Sequence, residues 1–169
     1  MSVNVSVRQL QQATFVEEVA EVLGETGADP SRIVLEVTES VMMQDVDATI
    51  PVLKRLKSLG VRLAIDDFGT GYSSLSYLTL YPFDILKIDK SFIDGIDRPG
   101  NQLELTRAII ELAKVLGLEI VAEGIEREEQ ALQLRNLNCD VVQGFLFSRS
   151  LPAEAIAEMI DRAWHDLAA

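Results

Sequence analysis

The sequence is poor in the residues that build covalent links or soft metal sites. Its 169 residues include one cysteine, Cys139, and one histidine, His165. A lone cysteine closes no disulfide within the chain, and it suits a reducing compartment. One Cys and one His fall short of the donors a zinc site needs. With the single Trp164, both read as packing or surface residues. Basic residues are also scarce: Lys and Arg number 15 against 27 Asp and Glu, a formal net charge of −12. That balance excludes a grip on long nucleic acid, which needs clusters of cations to displace counterions. A small anionic ligand stays open, provided metal ions supply the positive charge. No apolar run approaches the roughly 20 residues needed to cross a bilayer. The opening Met1-Ser2-Val3-Asn4 lacks a basic region followed by an apolar one, so no secretory signal is read there. A cytoplasmic protein is expected. No stretch rich in Pro, Gly or Ser divides the chain, so residues 1–169 are read as one domain.

What is present is alternation. Short β-rich runs at 3–6, 33–38, 61–66, 84–89, 118–123 and 141–147 are separated by amphipathic stretches at 14–26, 46–59, 102–116 and 127–137, with a last one at 152–167. Ile50, Leu53, Leu56 and Leu59 have the spacing of an apolar helical face. Gly60 and Gly117 suit helix C-terminal caps. Residues 91–99 read as a loop. Strands alternating with helices predict parallel pairing, and their Val, Ile and Leu content suits burial. Two architectures fit: a doubly wound open sheet or a TIM-like (β/α) barrel. The absence of a Gly-rich dinucleotide fingerprint after the first strand weakens the open sheet.

The chemistry lies in how the strands end. The first ends at Asn4 and Ser6; the second places Glu36 in the strand and Glu39 just beyond it. The third ends in Asp66-Asp67, the fourth carries Lys87 and Asp89, the fifth leads to Glu123 and Glu126, and the sixth bears Gln143. A single acid in such a place is commonly a helix N-cap. Five consecutive strand ends bearing such groups point elsewhere, because in parallel α/β folds all these ends lie on one side. Crowded carboxylates raise each other's pKa unless a cation neutralises them. Oxygen donors of this kind suit Mg²⁺ or Mn²⁺, and adjacent acids such as Asp66-Asp67 can serve two ions. Lys87 within an apolar strand would add a fixed positive charge. The segment 67–76, with two glycines and four Ser or Thr residues, suits a mobile loop over phosphate.

Six stretches together resemble the EAL-domain family of cyclic-di-GMP phosphodiesterases. They are Val-Asn-Val-Ser (3–6), Leu-Glu-Val-Thr-Glu-Ser (35–40), Ile-Asp-Asp-Phe-Gly-Thr-Gly-Tyr-Ser-Ser-Leu (65–75), Leu-Lys-Ile-Asp-Lys-Ser-Phe (86–92), Val-Ala-Glu-Gly-Ile-Glu (121–126) and Gln-Gly-Phe-Leu-Phe-Ser (143–148). The resemblance implies a modified (β/α) barrel that hydrolyses cyclic-di-GMP to linear pGpG with Mg²⁺ or Mn²⁺. It implies that Asn4, Glu36 and Asp66 bind one metal, and that Asp66 bridges to a second held by Asp67 and Glu123. It further implies that Lys87 assists the attacking water and that Gln143 helps position the site. Glu39 is matched to a loop anchor, and Asp89 and Glu126 to substrate-side or supporting acids. The Glu-Ala-Leu triplet that names the family does not occur in these 169 residues. By family comparison, about six of eight βα units are expected, with impaired metal binding and turnover. Exposed strand edges would then favour homodimers or strand-exchanged oligomers, and regulatory domains could be attached in a parent protein. The alternative reading is a non-catalytic module that binds cyclic-di-GMP or a protein partner.

Overall fold

The structure, a computed structural model, describes residues 1–42, 46–71, 78–98, 100–156 and 159. Strands β1 (Ser2–Asn4), β2 (Val34–Thr38), β3 (Arg62–Phe68), β4 (Ile85–Ile88), β5 (Glu119–Ala122) and β6 (Val141–Val142) form one sheet. Every neighbouring pair is parallel, and spatial order equals chain order. A doubly wound sheet would reverse its order at a switch point. No such reversal occurs among the described strands. The sheet instead curls, so that β1 to β6 all contribute side chains to one internal cavity of about 200 Å³. The expected incomplete (β/α) barrel is the fold observed.

Helices α1 (Val7–Leu10), α2 (Phe15–Thr26), α3 (Glu39–Met42), α4 (Val46–Ser58), α5 (Lys90–Ile93), α6 (Gln102–Val115) and α7 (Glu128–Asn136) are described between the strands. The longer four match the amphipathic stretches to within one or two residues. Gly60 and Gly117 follow α4 and α6 with positive φ of 93° and 71°, the left-handed turn that ends a helix cheaply only with glycine. Strand alternation then sorts the side chains. Leu35, Val37, Leu63, Ile65, Leu86, Ile88, Ile120 and Ala122 are buried in one cluster with Leu53 and Leu56 of α4, Ile110 and Ala113 of α6, and Leu134 of α7. The residues between them, including Glu36, Ala64, Asp66, Lys87 and Val121, take the opposite, inner face.

Two segments differ from the sequence reading. The last strand is only Val141–Val142, because residues 143–147 turn back on the chain; Leu146 N–H donates to the Ile125 carbonyl at 2.9 Å. The stretch after β4 opens with α5, started by Asp89 rather than looping at once. Of the expected helix at 152–167, residues 153–156 are helical, and most of the remainder, with Trp164 and His165, lies outside the described residues. Tyr72–Ser76 of the glycine-bearing segment lie outside them too. Cys139 is half-buried, and burial pushes its thiol up to about 11, so it stays protonated at neutral pH. Among the described residues, no helix is long and apolar enough to cross a membrane.

Leu86 is fully buried at the centre of the sheet. Leu86→Ala is expected to cost about 2–5 kcal/mol, read as a lower urea midpoint with an unchanged slope.

Candidate functional site

Adjacent residues of a flat strand point to opposite faces, so Asp66 and Asp67 should not share a site. The backbone resolves this. The pairing of β3 with β4 shifts register between Ile65 and Phe68, and Asp67 adopts a positive φ of 54°. Asp tolerates that left-handed conformation better than most residues, and irregularities of this kind re-aim side chains beside active sites. One carboxylate oxygen each from Asp66, Asp67 and Glu123 consequently lies within 4.8 Å of the other two.

Lys87, on the inner face of β4, binds the acids of its neighbours. Its Nζ lies 2.7 Å from Glu36 Oε2 on β2, 2.9 Å from Asp66 Oδ1 on β3 and 2.5 Å from Glu123 Oε1 beyond β5. Lys87, Glu36 and Asp66 are all less than 10% exposed. Burial alone would pull the lysine pKa down, but the ion pairs with Asp66, Glu123 and Glu36 outweigh it and hold the ammonium well above its usual value. Lys87 is therefore a charged donor at neutral pH. Burial also pushes the Glu123 carboxyl up, against the pull of Lys87. Asp67 is raised by burial and by the charges of Asp66 and Asp89. Gln143 Nε2 donates to Glu123 Oε1 at 2.6 Å, sharing that oxygen with Lys87.

Glu39, at the start of α3, is 2% exposed and accepts from the amides of Gly69 and Gly71 at 2.9 and 3.3 Å. A Cβ at Gly71 would stand 2.7 Å from the Glu39 carboxylate, and one at Gly69 would stand 2.6 Å from the Phe92 ring. The two glycines thus admit close neighbours, a role distinct from supplying mobility. Asp89 caps α5, accepting from Ser91 N–H at 3.0 Å; burial raises its carboxyl, but the Ser91 bonds prevail and lower it. Glu126 is exposed and pairs with Lys90 at 2.5 Å, which lowers its pKa. Asn4 sits on the exposed β1 in register with Glu36.

The structure thus brings Glu36, Asp66, Asp67, Lys87, Glu123 and Gln143 together, with Glu39 and Asp89 around them. Sequence reading passed over Lys90 and Gln130. Gln130 is fully buried and accepts from the amides of Glu126 and Arg127 at 2.9 and 3.0 Å. Its position three residues into α7 was the available sign, since that is where a capping glutamine reaches back.

The acids fit a hard divalent cation. Asp66 Oδ1 is buried and without a hydrogen-bond partner; its ion pair with Lys87 lies off hydrogen-bonding geometry. All three donors of the cluster are carboxylates, which suit Mg²⁺, Mn²⁺ or Ca²⁺ over zinc.

A family model described as the EAL domain matches residues 1–150. The chain belongs to the EAL-domain family. Cyclic di-GMP phosphodiesterase NbdA of Pseudomonas aeruginosa is 47% identical over 160 residues, covering 95% of this chain and 20% of NbdA. This EAL chain therefore spans about a fifth of the length of that curated relative. Among solved structures, the MucR phosphodiesterase of P. aeruginosa in complex with c-di-GMP superposes with a TM-score of 0.87 at 44% identity, covering 92% of this chain and 63% of that one. A manganese and cyclic-di-GMP complex of Klebsiella pneumoniae BlrP1 superposes with a TM-score of 0.81 at 34% identity, covering 88% of this chain and 38% of that one.

Replacing Lys87 by Met leaves three carboxylates facing one another with no ammonium. The variant is expected to lose about 3–5 kcal/mol in thermal denaturation, with part recovered on adding Mn²⁺. Because the folded pKa of Lys87 lies above the unfolded one, its contribution is complete below about pH 10.4 and lost only in stronger alkali. A wild-type stability that fell between pH 7 and 9 with no corresponding change in Lys87→Met would contradict this.

Proposed function

We propose that this EAL domain is the metal-binding face of a cyclic-di-GMP phosphodiesterase working in the cytoplasm. The observation that carries the reading is the meeting of Asp66, Asp67 and Glu123 beside a buried, charged Lys87. Asp66, Asp67 and Glu123 would hold one divalent cation. By the family pattern, Asn4 and Glu36 would join Asp66 around another, with Asp66 shared. When bound, Mg²⁺ or Mn²⁺ supplies positive charge to the phosphoryl oxygens and acidifies a water.

The chain's own residues do the rest. Lys87 is protonated, so it donates; it orients the attacking water and offsets charge growing on the phosphoryl group. Gln143 keeps Glu123 turned towards the cluster. Glu39 ties down the backbone after Asp67, which holds the adjacent aspartates in their shared orientation. In the hydrolysis, the water oxygen would bond to phosphorus, the bond to the 3′ oxygen would break, and that oxygen would leave as a hydroxyl with a proton that the water gives up, yielding linear pGpG. These 169 residues carry no Glu-Ala-Leu triplet, whose Glu is a first-metal ligand in the family pattern. The 169-residue chain is therefore expected to bind the first ion weakly and to turn over slowly.

The test is incubation with cyclic-di-GMP and Mn²⁺, following pGpG by chromatography, with binding measured in Ca²⁺. Slow hydrolysis lost in Asp66→Asn supports the proposal. Binding without any hydrolysis would favour the non-catalytic sensor, and neither would sink both readings.

We also propose association through β1, which among the described residues is paired only with β2 and has Ser2, Val3 and Asn4 exposed. Light scattering is expected to give a dimer or larger species at micromolar concentration. A monomer across that range would overturn it.

A further inference from the structure

Lys90 stands three residues beyond Lys87, as the first residue of α5. Its methylene stem lies on the backbone of Gly124: a Cβ built there would fall 2.5 Å from Lys90 Cγ and 2.7 Å from its Cβ and Cδ. Gly124 turns the chain with a φ of 71° directly after Glu123. At the far end of the same side chain, the ammonium reaches Glu126 at 2.5 Å. Lys90, Glu123, Glu126 and Gln143 all line one cavity of about 560 Å³.

The segment that Lys90 covers is held from the other side as well. Gln130 accepts from the Glu126 amide and donates through Nε2 to the Ile93 carbonyl of α5 at 3.3 Å. Ile125 N–H donates to the Gln143 carbonyl at 3.1 Å, and Glu123 N–H to that of Ile88 at 3.1 Å. The turn bearing Glu123 and Glu126 is thus hydrogen-bonded along its backbone. Lys90 is the one side chain of α5 that touches both its glycine and its distal acid among the contacts described.

We propose that Lys90 is a positioning residue with two separable parts. Its stem holds the Gly124 turn, and through it Glu123, in the metal cluster. Its ammonium holds Glu126 against the cavity wall, where it meets the ligand. The functional consequence rests on the phosphodiesterase reading; the positioning itself does not. The Lys90–Glu126 pair is exposed, so it adds little to global stability, and its loss should leave the fold intact.

Three variants of the full chain separate the parts. Lys90→Met keeps a stem without charge, Lys90→Ala removes both, and Lys90→Arg keeps both. All three are expected to melt within about 3 °C of wild type. Lys90→Ala should weaken Mn²⁺ binding, measured by calorimetry, by roughly tenfold, the scale seen when a ligand's supporting shell is removed. It should also speed amide exchange at Glu123, Ile125 and Glu126 in the metal-free protein. Lys90→Met should retain Mn²⁺ affinity and slow exchange yet bind cyclic-di-GMP more weakly in Ca²⁺. Lys90→Arg should restore both. Wild-type exchange in Lys90→Ala would overturn the proposal, as would equal loss of Mn²⁺ affinity in the Met and Ala variants. If the wild type binds neither Mn²⁺ nor cyclic-di-GMP, the phosphodiesterase reading fails, while the exchange rates still decide whether Lys90 positions the turn.

Discussion

One ammonium holds the rim of this half-barrel together. Glu36, Asp66 and Glu123 come from three different strands and would repel one another if left alone. At about 4 Å and an effective dielectric of 20, each like-charge pair costs about 4 kcal/mol. Lys87 stands within 2.9 Å of all three and turns repulsion into cohesion. The compensation is incomplete: three carboxylates against one ammonium leave two negative charges, before Asp67 is counted. Burial, reinforced by that residue of charge, explains why Glu123 and Asp67 bind protons more readily than usual. It is also why the cluster would welcome a divalent ion.

The rest of the architecture serves to bring these groups to one level. Spatial order following chain order places Glu36 and Asp66 on neighbouring strands, with Lys87 on the strand between Asp66 and Glu123. Outward-facing Leu, Ile and Val anchor each strand to its helix, which leaves the inner face free to be polar. Arg62 and Glu119 pair on that face towards the opposite end of the strands. The barrel interior therefore carries ion pairs at two levels among small and branched apolar residues, separated from the main hydrocarbon core by the thickness of the sheet.

Much of this was legible in the sequence because the relevant signals are periodic. Ile50, Leu53 and Leu56 announce α4, and the strand ends announce where acids gather. What was not legible depends on contacts between distant segments. Nothing in Ile-Asp-Asp-Phe reveals the register shift that lets Asp66 and Asp67 face the same way; it arises from pairing with β4. The apolar run Val-Val-Gln-Gly-Phe-Leu-Phe reads as one strand, yet it folds back after Val142 because Leu146 bonds to Ile125. The glycines at 69 and 71 suggest mobility, whereas Phe92 and Glu39 occupy the space their side chains would need. Asp89 reads as a strand residue by spacing, but it caps α5 instead, in the manner usual for an isolated acid at a strand end.

The brevity of β6 carries a consequence for how such a site comes into being. Gln143, which steadies Glu123, follows a strand only two residues long that pairs, among the described residues, with β5. Such an edge frays readily and is among the last parts of a parallel sheet to settle. Until it does, Glu123 lacks its amide partner, and the donor set remains imperfectly arranged. Binding of a divalent ion would then favour chains in which the segment after β6 has docked against β5.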